Sequence, residues 1–369
     1  MRARVLVVKR VPTWTWLSFL ALASIPSPTV AASLEQRVRA LEQRMAAVEQ
    51  RVTATESALK PLNVTVDCAA GQTVGAALTQ VAAHPRPVVI NILGECSEGV
   101  TISRHDVTLQ GGGLIRPTGG NTTVLSVGIG LRGIQLGNMT LTGGGRGLRI
   151  RSGSTVTAQN LTIQNSQGTF GGGLSLEWGG YLRIFGSTIR NHAWGGVFVS
   201  GGELDIAGVT IEDNGGAGIA GESGASLLIQ SAIVRRNREG LSLSTGASAI
   251  GEENTVDDNT SSGAKLASGH LQMSLTSFSN NGADGVTARA GSSVDLNFAT
   301  IGNNAGNGVR LRDTSVGTLG GANQITQNAN YGVLCDPAPA VAQAAAFSVL
   351  DASTVFGNGV GQSNCPTNP

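Results

Sequence analysis

The chain has 369 residues, of which 53 are glycine, 13% are charged and only 4% are aromatic. This composition is typical of many short strands and tight turns and disfavours a packed α/β domain. Because the formal net charge is +1, bulk electrostatics gives no reason to expect nucleic acid or an acidic membrane surface as a partner.

Residues 1–32 have the pattern of a secretory signal peptide. Four basic residues within the first ten precede an apolar segment at 14–25, and small residues at 30–32 suit cleavage before Ser33. The apolar segment is shorter than the roughly 20 residues that a membrane span needs, which favours a removed signal over an anchor. We therefore expect an exported protein, secreted, periplasmic or at the cell surface, with no membrane span in the mature chain.

Residues 33–60 carry an apolar heptad repeat with the spacing of a coiled coil. An Arg-h-x-x-h-Glu pattern, in which h is apolar, recurs at 37–42, 44–49 and 51–56, although Thr55 weakens the last copy. It resembles the motif of three-stranded coiled coils and implies a homotrimer formed through residues 33–60. A single amphipathic helix lying on the rest of the chain is the alternative. The seam residues are Leu34, Val38, Leu41, Met45, Val48, Val52, Thr55 and Leu59.

Residues 61–106 are predicted to form an N-terminal cap. Pro61 ends the preceding helix because proline cannot continue the hydrogen-bond ladder. Strands are predicted at 64–68 and 88–92, with a short helix at 72–84 between them. Since a solenoid exposes an apolar open end, this helix is expected to cover it.

Residues 107–336 contain a repeat with a period of 22 to 24 residues. Each unit has an asparagine, then a glycine followed by an apolar residue, and three short runs of alternating apolar residues. Alternation predicts strands, and units of this kind bury their apolar face only by stacking. The pattern therefore predicts a parallel β-helix. The marker asparagines are Asn191, Asn214, Asn237, Asn259, Asn281, Asn304 and Asn328.

The units at 187–191, 209–214 and 299–304 resemble the right-handed parallel β-helix repeat of pectate-lyase-like proteins. The resemblance implies right-handed coiling and a ladder of asparagines packed inside one turn, each bonded to its neighbours. Exposed turn asparagines with positive φ are the alternative. The predicted fold class is all-β, a right-handed parallel β-helix solenoid preceded by a short coiled-coil helix.

The four cysteines lie near the two ends of the predicted solenoid. Cys68 and Cys96 flank the cap strands, while Cys335 and Cys365 bracket the predicted C-terminal cap at 337–369. Of the three pairings, the one that joins Cys68 to Cys96 and Cys335 to Cys365 is favoured because it ties each end locally. No Cys-x-x-Cys or Cys/His metal spacing occurs, so neither a metal nor a cofactor is expected.

Aromatic and polar residues near the start of the regular coils form the candidate binding site. In a chain so poor in aromatic residues, their concentration predicts a platform on which sugar rings stack. Ordinary solvated positions of a sheet surface are the alternative. The candidate residues are Arg149, Arg151, Glu177, Trp178, Tyr181, Trp194 and Phe198.

An outward basic strip follows further along the array. Its positive charge suits an acidic polysaccharide, although basic residues on a sheet surface also discourage aggregation. The strip consists of Lys265, Arg289, Arg310 and Arg312.

No catalytic residue can be assigned. No outward row stacks carboxylates, and the four histidines fall on different elements without a carboxylate partner for acid–base work. The Asp-Pro-His pattern of alginate epimerases of the resembled fold is missing from the sequence. The predicted function is a structural or glycan-binding module. The alternative is a polysaccharide lyase or epimerase, acting on an acidic polysaccharide, that uses Arg151, Glu177 and the neighbouring aromatic residues.

Overall fold

A computed structural model of the protein describes residues 36, 38–50, 60–168, 172–336, 346–349 and 353–365. The chain divides into two compact units, Met1–Lys60 and Pro61–Pro369. In the first unit, residues 38–50 form a helix, α1. The predicted signal peptide, residues 33–35, 37 and 51–59 of the predicted coiled coil, and residues 337–345, 350–352 and 366–369 of the predicted C-terminal cap lie outside the described residues. Within the described ranges, no helix is both long and apolar enough to cross a membrane.

The second unit is a parallel β-helix, as predicted. Its described strands form two hydrogen-bonded sheets, of 23 and 12 strands, in which each strand pairs in parallel with the strand one coil away. The larger sheet supplies two faces of the coil and the smaller sheet the third. Parallel pairing of sequence-distant strands at a constant offset is what a repeat of fixed period requires.

Each coil contributes one strand to each face. The first face contains Leu62–Asp67 (β1), Val88–Leu93 (β2), Val107–Gln110 (β5), Ile134–Thr142 (β8), Thr155–Gln164 (β10), Tyr181–Phe185 (β12), Glu203–Ala207 (β15), Ser226–Gln230 (β18), Ser248–Glu252 (β21), His270–Ser274 (β24), Ser293–Asn297 (β27), Val316–Gly320 (β30) and Ala346–Val349 (β33). The second face contains Glu95–Cys96 (β3), Leu114–Ile115 (β6), Thr188–Arg190 (β13), Thr210–Glu212 (β16), Ile233–Arg235 (β19), Thr255–Asp257 (β22), Ser277–Ser279 (β25), Thr300–Gly302 (β28), Gln324–Thr326 (β31) and Thr354–Phe356 (β34), together with the C-terminal parts of β8 and β10. The third face contains Val100–Ile102 (β4), Thr123–Val127 (β7), Arg146–Ile150 (β9), Gly172–Leu176 (β11), Val197–Ser200 (β14), Ile219–Glu222 (β17), Leu241–Ser244 (β20), Ala264–Ala267 (β23), Val286–Arg289 (β26), Val309–Leu311 (β29), Tyr331–Cys335 (β32) and Gly361–Ser363 (β35).

The core is a set of apolar columns inside the coils. Alternating residues of each strand point inward and lie against the same position of the next coil, so the burial of one coil depends on its neighbours. On the second face the fully buried column is Ile189, Ile211, Val234, Val256, Phe278, Ile301 and Ile325.

Regular coil pairing begins before residue 107. β1 pairs with β2 and β2 with β5 in one register, so the segment predicted as a cap also supplies strands of the first face. The predicted helix is present as Val74–Gln80 (α2), preceded by a 3-10 turn at Cys68–Ala70. The Thr73 hydroxyl caps α2 by accepting the backbone N–H of Ala76 at 3.2 Å.

Both predicted disulfides are formed. Cys68 bonds to Cys96 and Cys335 bonds to Cys365, with Cα–Cα distances of 5.1 Å and 4.9 Å. Glu98 lies near the first pair, but its carboxylate accepts the backbone N–H groups at the start of α2. Because the sulfurs are bonded to each other and this carboxylate is occupied, the group is a structural end closure.

The buried asparagine ladder is present. At its N-terminal end, however, the buried position falls on residue 192 and not on Asn191 as predicted. Asn237 donates its backbone N–H to Oδ1 of Asn259 at 3.0 Å, and Asn259 repeats the contact to Asn281 at 3.2 Å. Asn191 is not a member, because it is exposed and occupies the left-handed turn position with φ 58°. The alternative interpretation of exposed asparagines therefore holds at this coil. The buried asparagines of the ladder are Asn214, Asn237, Asn259, Asn281, Asn304, Asn328 and Asn358.

His192 takes the ladder position that the prediction gave to Asn191. Its side chain is 2% exposed, and Nδ1 accepts the backbone N–H of Ser166 at 3.2 Å. Nε2 lies 3.1 Å from the carbonyl oxygen of Ile163, so the proton resides on Nε2. Within the ladder the neutral imidazole reproduces the acceptor and donor of a carboxamide.

Candidate functional site

The third face presents outward side chains in a continuous row. Parallel register places Ser175 beside Arg149 on β9 and beside Phe198 on β14, and it places Ala220 of β17 after Phe198. Neighbouring strands are about 4.8 Å apart, so these residues share one surface. Phe198 is 41% exposed, whereas Ser175 is nearly buried.

A groove of about 400 Å³ crosses this part of the third face. Trp194 lies in the turn that precedes β14, and its indole is 60% exposed. The next coil has glycine at the corresponding position, since the backbone N–H of Gly216 donates to the Trp194 carbonyl at 2.7 Å. Small residues on that coil therefore leave space beside the two rings. The groove is lined by Arg146, Gly172, Leu174, Ser175, Trp194, Gly195, Val197, Phe198, Gly216, Ala217 and Ala220.

The structure separates the other predicted aromatic residues from this groove. Trp178 follows β11 at the opposite end of the face, where its ring packs directly over Gly201. Tyr181 begins β12 and pairs with Thr155 and Glu203 on the first face. Of the four predicted aromatic residues, only Trp194 and Phe198 line the groove.

The predicted polar residues form a structural pair and an isolated cation. Arg149 contacts Glu177 through Nε at 2.7 Å and Nη2 at 2.6 Å, so both charges are compensated. Arg151 has a buried Nε without a hydrogen-bond partner among the described residues. Because the carboxylate of Glu177 is bonded to Arg149, it is not available for proton transfer.

Arg146 belongs to the groove although the sequence did not single it out. It is the first residue of β9 and pairs in register with Thr123 and Gly172. Burial lowers the pKa of its guanidinium, the charge of Arg149 lowers it further, and Glu177 acts in the opposite direction. No pattern in the sequence marks Arg146, because it precedes the outward row that begins at Arg149 and only the folded groove brings the start of β9 beside Trp194 and Phe198.

The basic strip is largely neutralised by acidic neighbours. Arg310 and Arg312 both contact Asp336, at 2.8 Å and 3.1 Å. Lys265 lies 3.7 Å from Glu239. Since three of its four cations have a carboxylate nearby, the strip does not present the concentrated positive charge that its sequence suggested.

Known proteins share the coil architecture of this chain. The family model described as "Right handed beta helix region" matches residues 89–261. The A-module of the mannuronan C-5 epimerase AlgE4 from Azotobacter vinelandii is 15% identical and superposes with a TM-score of 0.63, covering 80% of this chain and 92% of that module. The A-module of AlgE6 from the same organism is 16% identical with a TM-score of 0.57, covering 80% and 94%.

A periplasmic alginate epimerase, AlgG, gives a similar result. It is 15% identical with a TM-score of 0.54, covering 76% of this chain and 74% of the epimerase. No curated protein sequence matches this chain. At such identities the superpositions show a common fold and no more. Together with the strand pairing and the matched repeat region, they show that this chain is a right-handed parallel β-helix repeat protein.

Proposed function

We propose that the protein is an exported glycan-binding module whose groove on the third face holds a sugar chain. The observation that carries the proposal is the pair of exposed rings, Trp194 and Phe198, above a floor of glycine and alanine. Aromatic rings offer a large, rigid apolar surface at low entropic cost. A concave site of a few hundred Å³ with a few polar groups is the usual form of a small-ligand site.

The similar folds support a carbohydrate ligand. The three similar proteins reported above are named as mannuronan or alginate epimerases, and their names specify polysaccharides. A shared fold does not confer a shared activity, so the groove itself remains the main argument.

We propose binding in preference to catalysis. The lyase or epimerase alternative relied on Arg151, Glu177 and the surrounding aromatic residues. Glu177 is paired with Arg149, and Tyr181 lies on another face. No observation within the described residues brings a free acid or base to the rings of the groove.

We also propose export and trimer formation. The two disulfides are typical of oxidising compartments, which is consistent with removal of residues 1–32. On α1 the predicted seam is exposed in the single chain, with Leu41 62% and Met45 59% accessible. An apolar heptad seam of this kind is buried when helices associate, and the three Arg-h-x-x-h-Glu copies favour three strands.

A comparison of two tryptophan variants tests the glycan proposal. A glycan array with the intact mature protein identifies a ligand, and calorimetry then measures its affinity for Trp194→Ala and Trp178→Ala. Both indoles are 60% exposed, so the second variant controls for loss of a surface ring. We expect Trp194→Ala to weaken binding at least about fivefold, as central aromatic contacts do, and Trp178→Ala to leave it unchanged. Equal effects, or no glycan bound, would contradict the proposal.

A further inference from the structure

The charge state of the groove points to the kind of sugar that it takes. Arg146 lies at one end of the groove, and its register partner on the next strand is Gly172. Because glycine has no side chain, nothing on that strand at this register position separates the guanidinium from the space beside Trp194 and Phe198.

Arg146 differs in its contacts from the paired arginines of the third face, Arg149, Arg310 and Arg312. Arg149 is bonded to Glu177, and the arginines of the basic strip that pair do so with Asp336. Within the described ranges, Arg146 has no side-chain hydrogen bond and no ion pair. Its side chain is nevertheless partly buried. The groove thus contains a partly buried cation that forms no ion pair with any of the described residues.

Partial burial of an unpaired cation is energetically unfavourable, and a bound anion would reduce that cost. Partial burial removes hydration from the guanidinium, and the neighbouring charge of Arg149 adds repulsion, which is why the pKa of Arg146 is lowered. An arginine stays protonated at any physiological pH. Its planar fork matches a carboxylate through two parallel hydrogen bonds.

We propose that Arg146 binds the carboxylate of an acidic sugar unit whose chain lies against Trp194 and Phe198. This inference rests on the glycan-binding function proposed above and adds the ligand class, an oligosaccharide that contains a uronic acid. It also places acidic recognition in the groove and not on the basic strip, because three of the strip's four cations have a carboxylate nearby, whereas Arg146 forms no ion pair with the described residues.

Matched ligands and matched arginine variants test the inference. The probes are oligosaccharides of alginate, pectate and hyaluronan, each with its carboxyl-reduced neutral counterpart. Calorimetry of the intact mature protein should show at least about tenfold tighter binding of one acidic form than of its reduced partner, as expected for a charge-assisted bidentate contact. Arg146→Gln should remove this preference. Arg289→Gln, a change of an exposed arginine outside the groove, should retain it.

The remaining outcomes separate this inference from the proposed function. If neutral and acidic forms bind equally and Trp194→Ala still weakens both, the groove binds glycans but the role of Arg146 is wrong. If no oligosaccharide binds, both proposals fail. Arg146→Lys keeps the charge without the planar fork and should show an intermediate preference, and circular dichroism checks that each variant is folded. Retention of the full acidic preference in folded Arg146→Gln overturns the inference.

Discussion

His192 and Asn214 occupy equivalent positions on adjacent coils, and Oδ1 of Asn214 accepts the backbone N–H of His192 at 3.1 Å. The contact continues the asparagine ladder into a coil that has no asparagine at that position. Burial lowers the pKa of His192 to about 4, with the hydrogen bond to the Ile163 carbonyl acting in the opposite direction. The ladder therefore contains a group that gains a proton in the folded state only as the pH falls to about 4.

We expect His192 to make the stability of the protein depend on pH. The ordinary pKa of histidine is 6.5 and the folded value is about 4, so the unfolded chain binds more protons between these values. At about 1.4 kcal/mol per pKa unit, lowering the pH from 7 to 4 should reduce the free energy of unfolding by about 3 kcal/mol. The loss reaches its limit only below the folded pKa of about 4, and it is nearly absent at pH values well above the unfolded pKa.

Thermal unfolding of the protein and of His192→Asn across this pH range measures the effect. Asparagine supplies the same acceptor and donor without a titratable group, so the variant should lack this part of the pH dependence. The same dependence in both proteins would show that His192 does not titrate as described.

The ladder is expected to contribute strongly to stability in the middle of the array. Asn259→Ala removes the acceptor for the backbone N–H of Asn237 and two donors, to the Val234 carbonyl and to Asn281. Each buried group left without a partner costs roughly 1–3 kcal/mol, so the melting temperature should fall clearly. Asn191→Gly, at an exposed left-handed position, is the matched control and should change it little. Similar melting temperatures for both variants would refute the ladder's role.

The glycines after the ladder are expected to be required for space. A Cβ added at Gly240 would lie 2.3 Å from the Gly263 carbonyl oxygen and 2.3 Å from Cγ1 of Val256. Overpacking of this kind costs about 1–3 kcal/mol or more, so Gly240→Ala should be markedly destabilising by calorimetry. Gly224→Ala introduces only a left-handed alanine with no atom within 4 Å, and its loss should be about 1–2 kcal/mol. A larger loss of unfolding free energy in Gly224→Ala than in Gly240→Ala would contradict the requirement for space at Gly240.

The C-terminal disulfide is expected to hold the last coils together. Cys335 and Cys365 are 30 residues apart, and closing a loop of this length corresponds to about 3–4 kcal/mol in the chain-entropy account. In a Cys335→Ser/Cys365→Ser double variant, hydrogen exchange should accelerate in Tyr331–Cys335 and Gly361–Ser363 and remain slow in the central coils. The Cys68→Ser/Cys96→Ser variant should accelerate exchange at the other end. Uniform acceleration along the array would contradict local closure.

The oligomeric state is expected to depend on residues 33–60. Light scattering of the mature protein at micromolar concentration should give the mass of a trimer, and a variant lacking these residues should be a monomer with an unchanged β spectrum. The reason is that the apolar seam on α1 is exposed and is not covered by any other described residue of its own unit. A monomeric mass for the intact mature protein would exclude the trimer.

The sequence alone determined the coil, the strands of each face and the pairing of the cysteines. These features repeat at a constant offset, because each coil must place the same kind of residue over its neighbour to bury it. The apolar columns follow from that requirement. Ile211, Val234 and Val256, for example, occupy the same register position on successive coils.

Only the tertiary structure decided which residue of each turn faces inward and which aromatic residues lie close together. Asn214 follows its buried strand residue, Ile211, by three positions, whereas Asn191 follows Ile189 by two, so the inward position falls on His192. A shift of one residue reverses the side of a side chain. Trp178 and Trp194 are likewise close in sequence but lie at opposite ends of the third face, since turns between strands place them on different corners. Arg146 entered the groove for the same reason, because contacts between coils depend on register and turn geometry and not on distance along the chain.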